Sequence, residues 1–340
     1  MISHPIAGML SKLTVRRAIN LLKLTLSYRH SLFYRKVWMW GMPWAVSLEP
    51  NNTCNLRCSE CPTGTNELQR EKGLMSPDLF GKILAGLPAE TFYLNLYFMG
   101  EPFLHPGLFE MIGRARSRKI YINLATNGHF LTESAAEATV RSGLDRIVIG
   151  LDGSNQEDYA SYRKGGDYEL VVNGIKNLVK AKRSLHSRRP FIVLQVLLLS
   201  TTENRMSGMR DLGRSLGADR VVFKKAQFYH LDMEKSLMPE DPRKRRYSGE
   251  DRTEWKFRGK QKNACFRMWH SAVVSWEGKV LPCCFDKDAR HVMGDLKEEG
   301  FRKIWKGRDY IDFRKKILHD RGAIAMCSNC TEGARFLIRS

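Results

Sequence analysis

"EPNNTCNLRCSECPTG", residues 49–64, places Cys54, Cys58 and Cys61 within eight positions. It follows an apolar run, AVSLEP (45–50), that reads as a strand. Cysteines this close on one loop read as metal ligands or redox groups before crosslinks when the compartment is reducing. No stretch has the charged, apolar and small-residue order of a secretory signal, so a cytoplasmic setting is expected. Three thiols with no fourth nearby set the question that the rest of the chain must answer.

Outward from this loop, short apolar runs alternate with helical spacing. Strands are predicted at 45–50, 93–100, 120–127, 146–153, 192–199 and 220–226, and helices at 76–86, 107–118, 131–142, 168–183 and 205–216. Six such units in strict order imply parallel strands joined by helical crossovers, as a partial barrel or an open doubly wound sheet. Either form gathers chemistry at the C-terminal ends of its strands, which is where the three cysteines lie. The 340 residues, 43% hydrophobic and 27% charged, suit one large domain with a smaller second one. No apolar run reaches the roughly 18 residues of a membrane span.

Three thiolates can hold three corners of an iron-sulfur cube and leave its fourth iron to a small molecule. The C-x3-C-x2-C spacing resembles the signature of the radical S-adenosylmethionine (SAM) superfamily. The resemblance implies a partial (β/α)6 TIM-type barrel, a 4Fe-4S cluster on Cys54, Cys58 and Cys61, and SAM on the open iron. SAM would then be split to methionine and a 5'-deoxyadenosyl radical. The strand ends match in context. Gly100, Glu101 and Pro102 resemble the stretch that meets the SAM amine, Thr126 and Asn127 stand where the ribose is reached, and Arg163, beyond Asp152, stands where relatives bind the SAM carboxylate. Leu198 is the expected apolar neighbour of adenine. Relatives commonly carry an aromatic residue where this chain has Glu60, and serine where it has Gly150. A structural zinc site completed by a distant residue is the competing reading of the loop.

The other five cysteines lie beyond position 260. Cys265, Cys283, Cys327 and Cys330 resemble the SPASM extension or its shortened twitch form, with "SAVVSWEGKVLP" as a hairpin turning at Glu277 and Gly278. The resemblance implies one auxiliary 4Fe-4S cluster on these four; a zinc ribbon is the alternative. Cys284 would point away from Cys283 by strand alternation and reads as a small buried hydrophobe. The expected organisation is a basic amphipathic segment (1–43), a radical SAM barrel (44–228), a charged linker (229–264) and an auxiliary domain (265–340).

A saturated second cluster can only pass electrons. The resemblance therefore implies an oxidoreductase that abstracts a substrate hydrogen and completes a two-electron oxidation or a bond formation, fed by a reducing donor such as flavodoxin or ferredoxin. The substrate class expected is a small, lipid-linked or phosphorylated molecule; a peptide maturase or an RNA-modifying enzyme is the alternative. Asp152, Lys224, Lys225 and Asp286 are candidates for a base, with Gln195 as an interior polar contact. The net charge of +20 calls for an acidic partner. Residues 1–48 contain Lys12, Arg16, Arg17, Lys23, Arg29, Arg35 and Lys36 and no acid. A helical stripe of Val15, Ile19, Leu22, Leu26 and Phe33, followed by Tyr34, Trp38, Trp40 and Trp44, describes a helix over 10–36 lying on the inner face of a membrane. Packing across the barrel end and an organellar transit peptide are the alternatives; nucleic acid is less favoured as a partner.

Overall fold

Residues 4–229, 236–249, 255–258 and 261–332 are described in a computed structural model of the chain. Parts of the expected linker (230–235, 250–254 and 259–260) and residues 333–340 of the expected auxiliary domain lie outside them. The elements run α1 (His4–Leu10), α2 (Val15–Tyr34), β1 (Ala45–Leu48), α3 (Pro77–Gly86), β2 (Tyr93–Asn95), α4 (Leu108–Ser117), β3 (Tyr121–Thr126), α5 (Glu133–Arg141), β4 (Arg146–Gly150), α6 (Gln156–Tyr162), α7 (Tyr168–Ser184), β5 (Phe191–Leu198), α8 (Met206–Ser215) and β6 (Arg220–Lys225). Short strands β7 (Tyr247–Ser248) and β8 (Lys256–Phe257) follow, then α9 (Arg267–His270), β9 (Ser271–Val274), β10 (Lys279–Leu281), β11 (Gly294–Asp295), α10 (Phe301–Trp305), α11 (Arg308–Asp320) and α12 (Ala325–Ser328).

The fold is α/β with a mostly parallel sheet, in the manner of a partial barrel. All six expected strands and five expected helices form. Ser76, Thr132 and Asp167 cap α3, α5 and α7 by accepting the amides of Leu79, Ala135 and Leu170, at about 1 kcal/mol each. Helix α6, of seven residues, was not expected.

Two compact units divide the chain. The first comprises residues 4–53, 68–123 and 261–332. In it β1 lies between β2 and β9, parallel to both, with Ser47 opposite Asn95 and Val273. The hairpin β9–β10 is antiparallel and turns at Gly278, whose φ of +93° suits a residue without a side chain. Residues 261–332 thus fall in the same compact unit as the N-terminal residues. The cause is the parallel pairing of β9 with β1 and an ion pair below it: Arg70 donates twice to Glu49 (2.8 and 2.7 Å), and Glu49 also accepts the Trp276 amide (3.1 Å). Burial raises the Glu49 pKa, while Arg70 opposes that rise.

Helix α2 packs in this unit with an inward face of Arg17, Asn20, Leu24, Ser27 and Ser31. Asn20 grips the backbone of Met42 through both its amide groups (2.8 Å each), and Ser31 Oγ accepts the Trp38 amide (2.9 Å). Arg17 is not solvated. Its guanidinium donates to the carbonyls of Lys12, Ala89, Thr91 and Lys119. Trp44 is also set apart from the other early tryptophans, stacked between Phe92 and His270.

The second unit comprises residues 54–67, 124–229, 236–249 and 255–258. Here β4, β5 and β6 pair in parallel, with Gly150 opposite Gln195 and Leu198 opposite Lys225. Tyr162, Leu199, Phe228, Tyr247 and Trp255 form a buried cluster against which Cys58 and Leu197 pack.

Candidate active site

In the second unit the cysteine loop is held by its own backbone. The Arg57 and Ser59 amides donate to the carbonyls of Lys164 and Tyr162 (2.9 and 3.0 Å), and the Cys61 amide to Cys58 (3.1 Å). Gly64 lets the chain close on itself, since a Cβ there would stand 2.6 Å from the Cys58 nitrogen. Each of the three thiols is half-buried, and none is joined in a disulfide. Burial pushes the Cys58 thiol up to about 12, with Arg163 working against it. Glu60, standing where relatives have an aromatic residue, accepts the Tyr229 amide (2.9 Å) and so ties the loop to the segment after β6.

Asp152 is fully buried and committed: one oxygen accepts Arg163 Nε (2.8 Å), the other the Leu197 amide (2.6 Å). It positions Arg163, with both of its oxygens hydrogen-bonded. A Cβ on Gly150 would meet the Arg163 guanidinium, which lies close over this position. Thr126 Oγ1 accepts the Gly128 amide (3.0 Å), while Asn127 donates to Asn55 (2.7 Å) and approaches Cys54 Sγ (3.9 Å). Strand alternation puts Leu197 on the face of Gln195 and Leu198, fully buried, on the other. Leu197 packs against the same buried cluster as Cys58.

In the first unit Gly100 has φ +75°, and a Cβ there would lie 2.7 Å from Asn51 Oδ1 and from the Thr53 carbonyl. Asn51 Nδ2 donates to the Glu101 carbonyl (2.9 Å) and the Glu101 amide to Thr53 (2.8 Å). Gly100, Glu101 and Pro102 are thereby fixed to the residues that lead directly into Cys54.

The C-terminal cysteines are also in the first unit. Cys265, Cys283, Cys327 and Cys330 are each buried, and burial raises all four thiols, Cys265 to about 11. Strand β10 ends at Leu281 and the chain turns at Pro282, so alternation does not govern the next two residues. Cys284 is half-buried and lines the same cavity as Cys283, contrary to the expectation that it would point away as a buried hydrophobe. Two guanidiniums, both missed in the sequence, face this group. Arg321, 1% exposed, donates Nη1 to Ala264 and Glu332 carbonyls (2.7 and 3.0 Å), whereas its Nε and Nη2 have no oxygen partner. Burial works against its charge, yet Cys265, Cys330 and Cys327 together hold its pKa above the ordinary arginine value. Arg267, held by Glu332 (3.0 Å), is likewise raised by Cys284 and Cys283 against its burial. Asp286 accepts the amides of Arg290 and His291 (2.9 Å each) and shapes the turn after Cys284, so it too is occupied.

A cavity of about 290 Å³ opens beside Cys283 and Cys284, lined by Ser47, Asn95, Arg267 and His270. Asn123 donates to Asn95 Oδ1 (2.8 Å) and Asn95 to Ser47 Oγ (3.1 Å), a polar row across β3, β2 and β1. Asn123 Oδ1 is buried without a hydrogen-bond partner. Polar residues at the same register of three neighbouring strands were a sequence signal for this row.

The donor sets fit iron-sulfur centres. Buried guanidinium donors without oxygen partners beside thiols suit an anionic cluster.

Residues 48–196 match the radical SAM superfamily and residues 265–331 match SPASM, an iron-sulfur cluster-binding domain. The chain is a radical SAM enzyme with a SPASM domain, and its cofactors are SAM, the SAM-binding 4Fe-4S cluster and auxiliary iron-sulfur chemistry. It is 23% identical to a tungsten-containing aldehyde ferredoxin oxidoreductase cofactor-modifying protein from Pyrococcus furiosus, over 84% of this chain and 86% of that one. It is 22% identical to an S-adenosyl-L-methionine-dependent 2-deoxy-scyllo-inosamine dehydrogenase from Niallia circulans, over 84% and 91%. The fold resembles that of anSMEcpe with bound AdoMet and Cp18Cys peptide (TM-score 0.61, 16% identity, 86% of this chain and 89% of that one).

Proposed function

We propose that the chain oxidises a small polar substrate by two electrons, the substrate lying in the cavity beside the auxiliary cysteines. When bound, SAM and its cluster supply a hydrogen-abstracting radical, and the auxiliary cluster supplies an electron acceptor. Cys54, Cys58 and Cys61 hold the first cluster. Arg163 has only Nε spent on Asp152 and offers its Nη groups to the SAM carboxylate. Gly100 and Glu101 would present backbone to the SAM amine, Asn127 would reach the ribose, and Leu197 rather than Leu198 would flank the adenine. Cys265, Cys283, Cys327 and Cys330 hold the second cluster. The observation that carries the reading is the cavity: Cys283 lines its wall, and Ser47, Asn95, Arg267 and His270 offer a small polar molecule its contacts. At about 290 Å³ it sits near the lower end of small-ligand pockets. The dehydrogenase relative supports oxidation. The reading includes a lipid-linked or phosphorylated substrate met at the inner face of a membrane through residues 10–36, and an external reducing donor such as a flavodoxin or ferredoxin.

To test it, the reduced, reconstituted protein is incubated with SAM and deuterated small-molecule, lipid-linked or peptide fractions. Deuterium should enter 5'-deoxyadenosine from the small-molecule or lipid-linked fraction. Transfer from peptides alone would establish the maturase alternative.

A further inference from the structure

Helix α2 packs its polar side inward. Of its buried residues Arg17, Asn20, Leu24, Ser27 and Ser31, Leu24 alone is apolar. Val15, Ile19, Leu22, Leu26 and Phe33 are instead 47–80% exposed. At 100° per residue these five fall within an arc of about 60°. Past the helix end the patch continues in Tyr34, Trp38 and Trp40, whose rings gather around His30 at centroid distances of 4.5, 4.9 and 5.6 Å. Nine of the twelve large exposed hydrophobic side chains among the described residues lie between Leu10 and Trp40. Single exposed apolar residues need no explanation, but a continuous patch does.

Charge selects the occupant. Lys23 and Arg29 flank the stripe on opposite sides, Lys36 stands over the Trp38 ring (5.8 Å), and no acid occurs before Glu49. A second copy meeting the same face would bring these cations together with no anion among them. Among the described residues no helix is long and apolar enough to cross a membrane. An apolar stripe edged by cations, with tryptophan and tyrosine at one end, matches the layering of a bilayer surface: acyl chain, headgroup carbonyl, phosphate.

We propose that this face docks on an anionic lipid surface. Helix α2 lies in the plane of the interface with Val15, Ile19, Leu22, Leu26 and Phe33 among the acyl chains. Tyr34, Trp38 and Trp40 sit at headgroup level, and Lys23, Arg29 and Lys36 meet the lipid phosphates. This deepens the membrane part of the proposed function and rests on it; the radical chemistry is independent of it.

The reconstituted full chain is sedimented with vesicles of phosphatidylcholine alone and with about one third phosphatidylglycerol. Binding to the anionic vesicles should exceed binding to the neutral ones by roughly tenfold, and part of it should survive about 0.5 M salt. Leu22→Glu with Leu26→Glu should remove at least about tenfold of the affinity while the melting temperature stays within about 2 °C, because both positions are exposed. Lys23→Glu with Arg29→Glu should weaken binding and flatten its salt dependence. The proposal is overturned by a parent chain that ignores anionic vesicles, or by a leucine pair whose loss leaves binding unchanged. A lowered melting temperature without vesicle binding in the parent would show that the stripe packs on the fold. Light scattering in which the leucine pair turns a dimer into a monomer, with no lipid bound, would assign the face to a second copy. SAM cleavage is assayed in parallel: lost docking with intact cleavage breaks only the membrane reading, and the reverse breaks only the radical one.

Discussion

The two cysteine groups differ in how the protein surrounds them. Cys54, Cys58 and Cys61 are half-buried on a loop that supplies three thiols. Cys265, Cys283, Cys327 and Cys330 are buried, and Arg321 and Arg267 face them and their neighbour Cys284. Under the proposed function, a loop with three thiols would leave one iron for a small molecule to complete. In the proposed reading four thiolates would saturate the second cluster, leaving no iron open, and the guanidiniums beside them would offset its charge. Under the proposed function, ligand count would separate the reactive centre from the electron-transfer centre.

Removing Cys54, Cys58 and Cys61 together as alanines should have the largest effect. Bound iron, by analysis of anaerobically reconstituted protein, should fall from about eight to about four per chain, and SAM cleavage should vanish. Iron lost equally from both centres would break the comparison at once. Next in size, Cys330→Ala or Cys283→Ala should remove the second cluster's spectral signature and abolish oxidised product, yet leave 5'-deoxyadenosine formation in place. Cys284→Ala should keep both the iron and the activity. Because Cys284 shares a cavity wall with Cys283, equal damage from Cys284→Ala would exchange their roles.

A smaller effect sharpens the electrostatic half of the contrast. Arg321→Met should lower the midpoint potential of the auxiliary centre by on the order of 100 mV, the scale of a unit charge a few ångströms away at an effective dielectric of about 20. The SAM-binding centre should keep its potential, and Arg321→Lys should recover part of the shift; redox titration followed by electron paramagnetic resonance reads all three. The smallest effect concerns acid stability. Burial, followed by Arg267, lowers the His270 pKa from 6.5 to about 4, so the folded state favours the neutral ring. Its contribution is present in full above the unfolded value and is lost as pH falls from 6.5 towards 4, at most about 3 kcal/mol. Melting curves for His270→Phe, which keeps an aromatic ring against Trp44, should show a flatter acid limb than the parent.

Much of the fold was legible because it is written locally. The strand and helix periods, the caps at Ser76, Thr132 and Asp167, and the hairpin turn at Gly278 each depend on a few adjacent residues. The base candidates fared differently. Asp152 and Asp286 were reasonable from their positions after a strand and near the auxiliary loop, but each carboxylate is fully engaged, by Arg163 and Leu197 in one case and by Arg290 and His291 in the other. Arg321 carried no signal, since nothing beside it in the chain marks it as the partner of cysteines distant in sequence.

The sequence by itself determined the three-thiol loop, the order of βα units, the glycine at position 100 and the amphipathic character of α2. Covalent spacing alone decides which side chains share a loop or a helical face. The tertiary structure decided which face of α2 turns inward. A helix's apolar stripe faces the core by default, but here Asn20 and Ser31 are needed to satisfy the backbone of the returning segment at Met42 and Trp38, and the stripe is left outside. It also decided that the last third of the chain folds against the first, because β9 pairs with β1 and Trp276 meets Glu49. Such pairings depend on geometry between distant residues, and a buried carboxylate or amide reveals its partner only when the chain has closed around it.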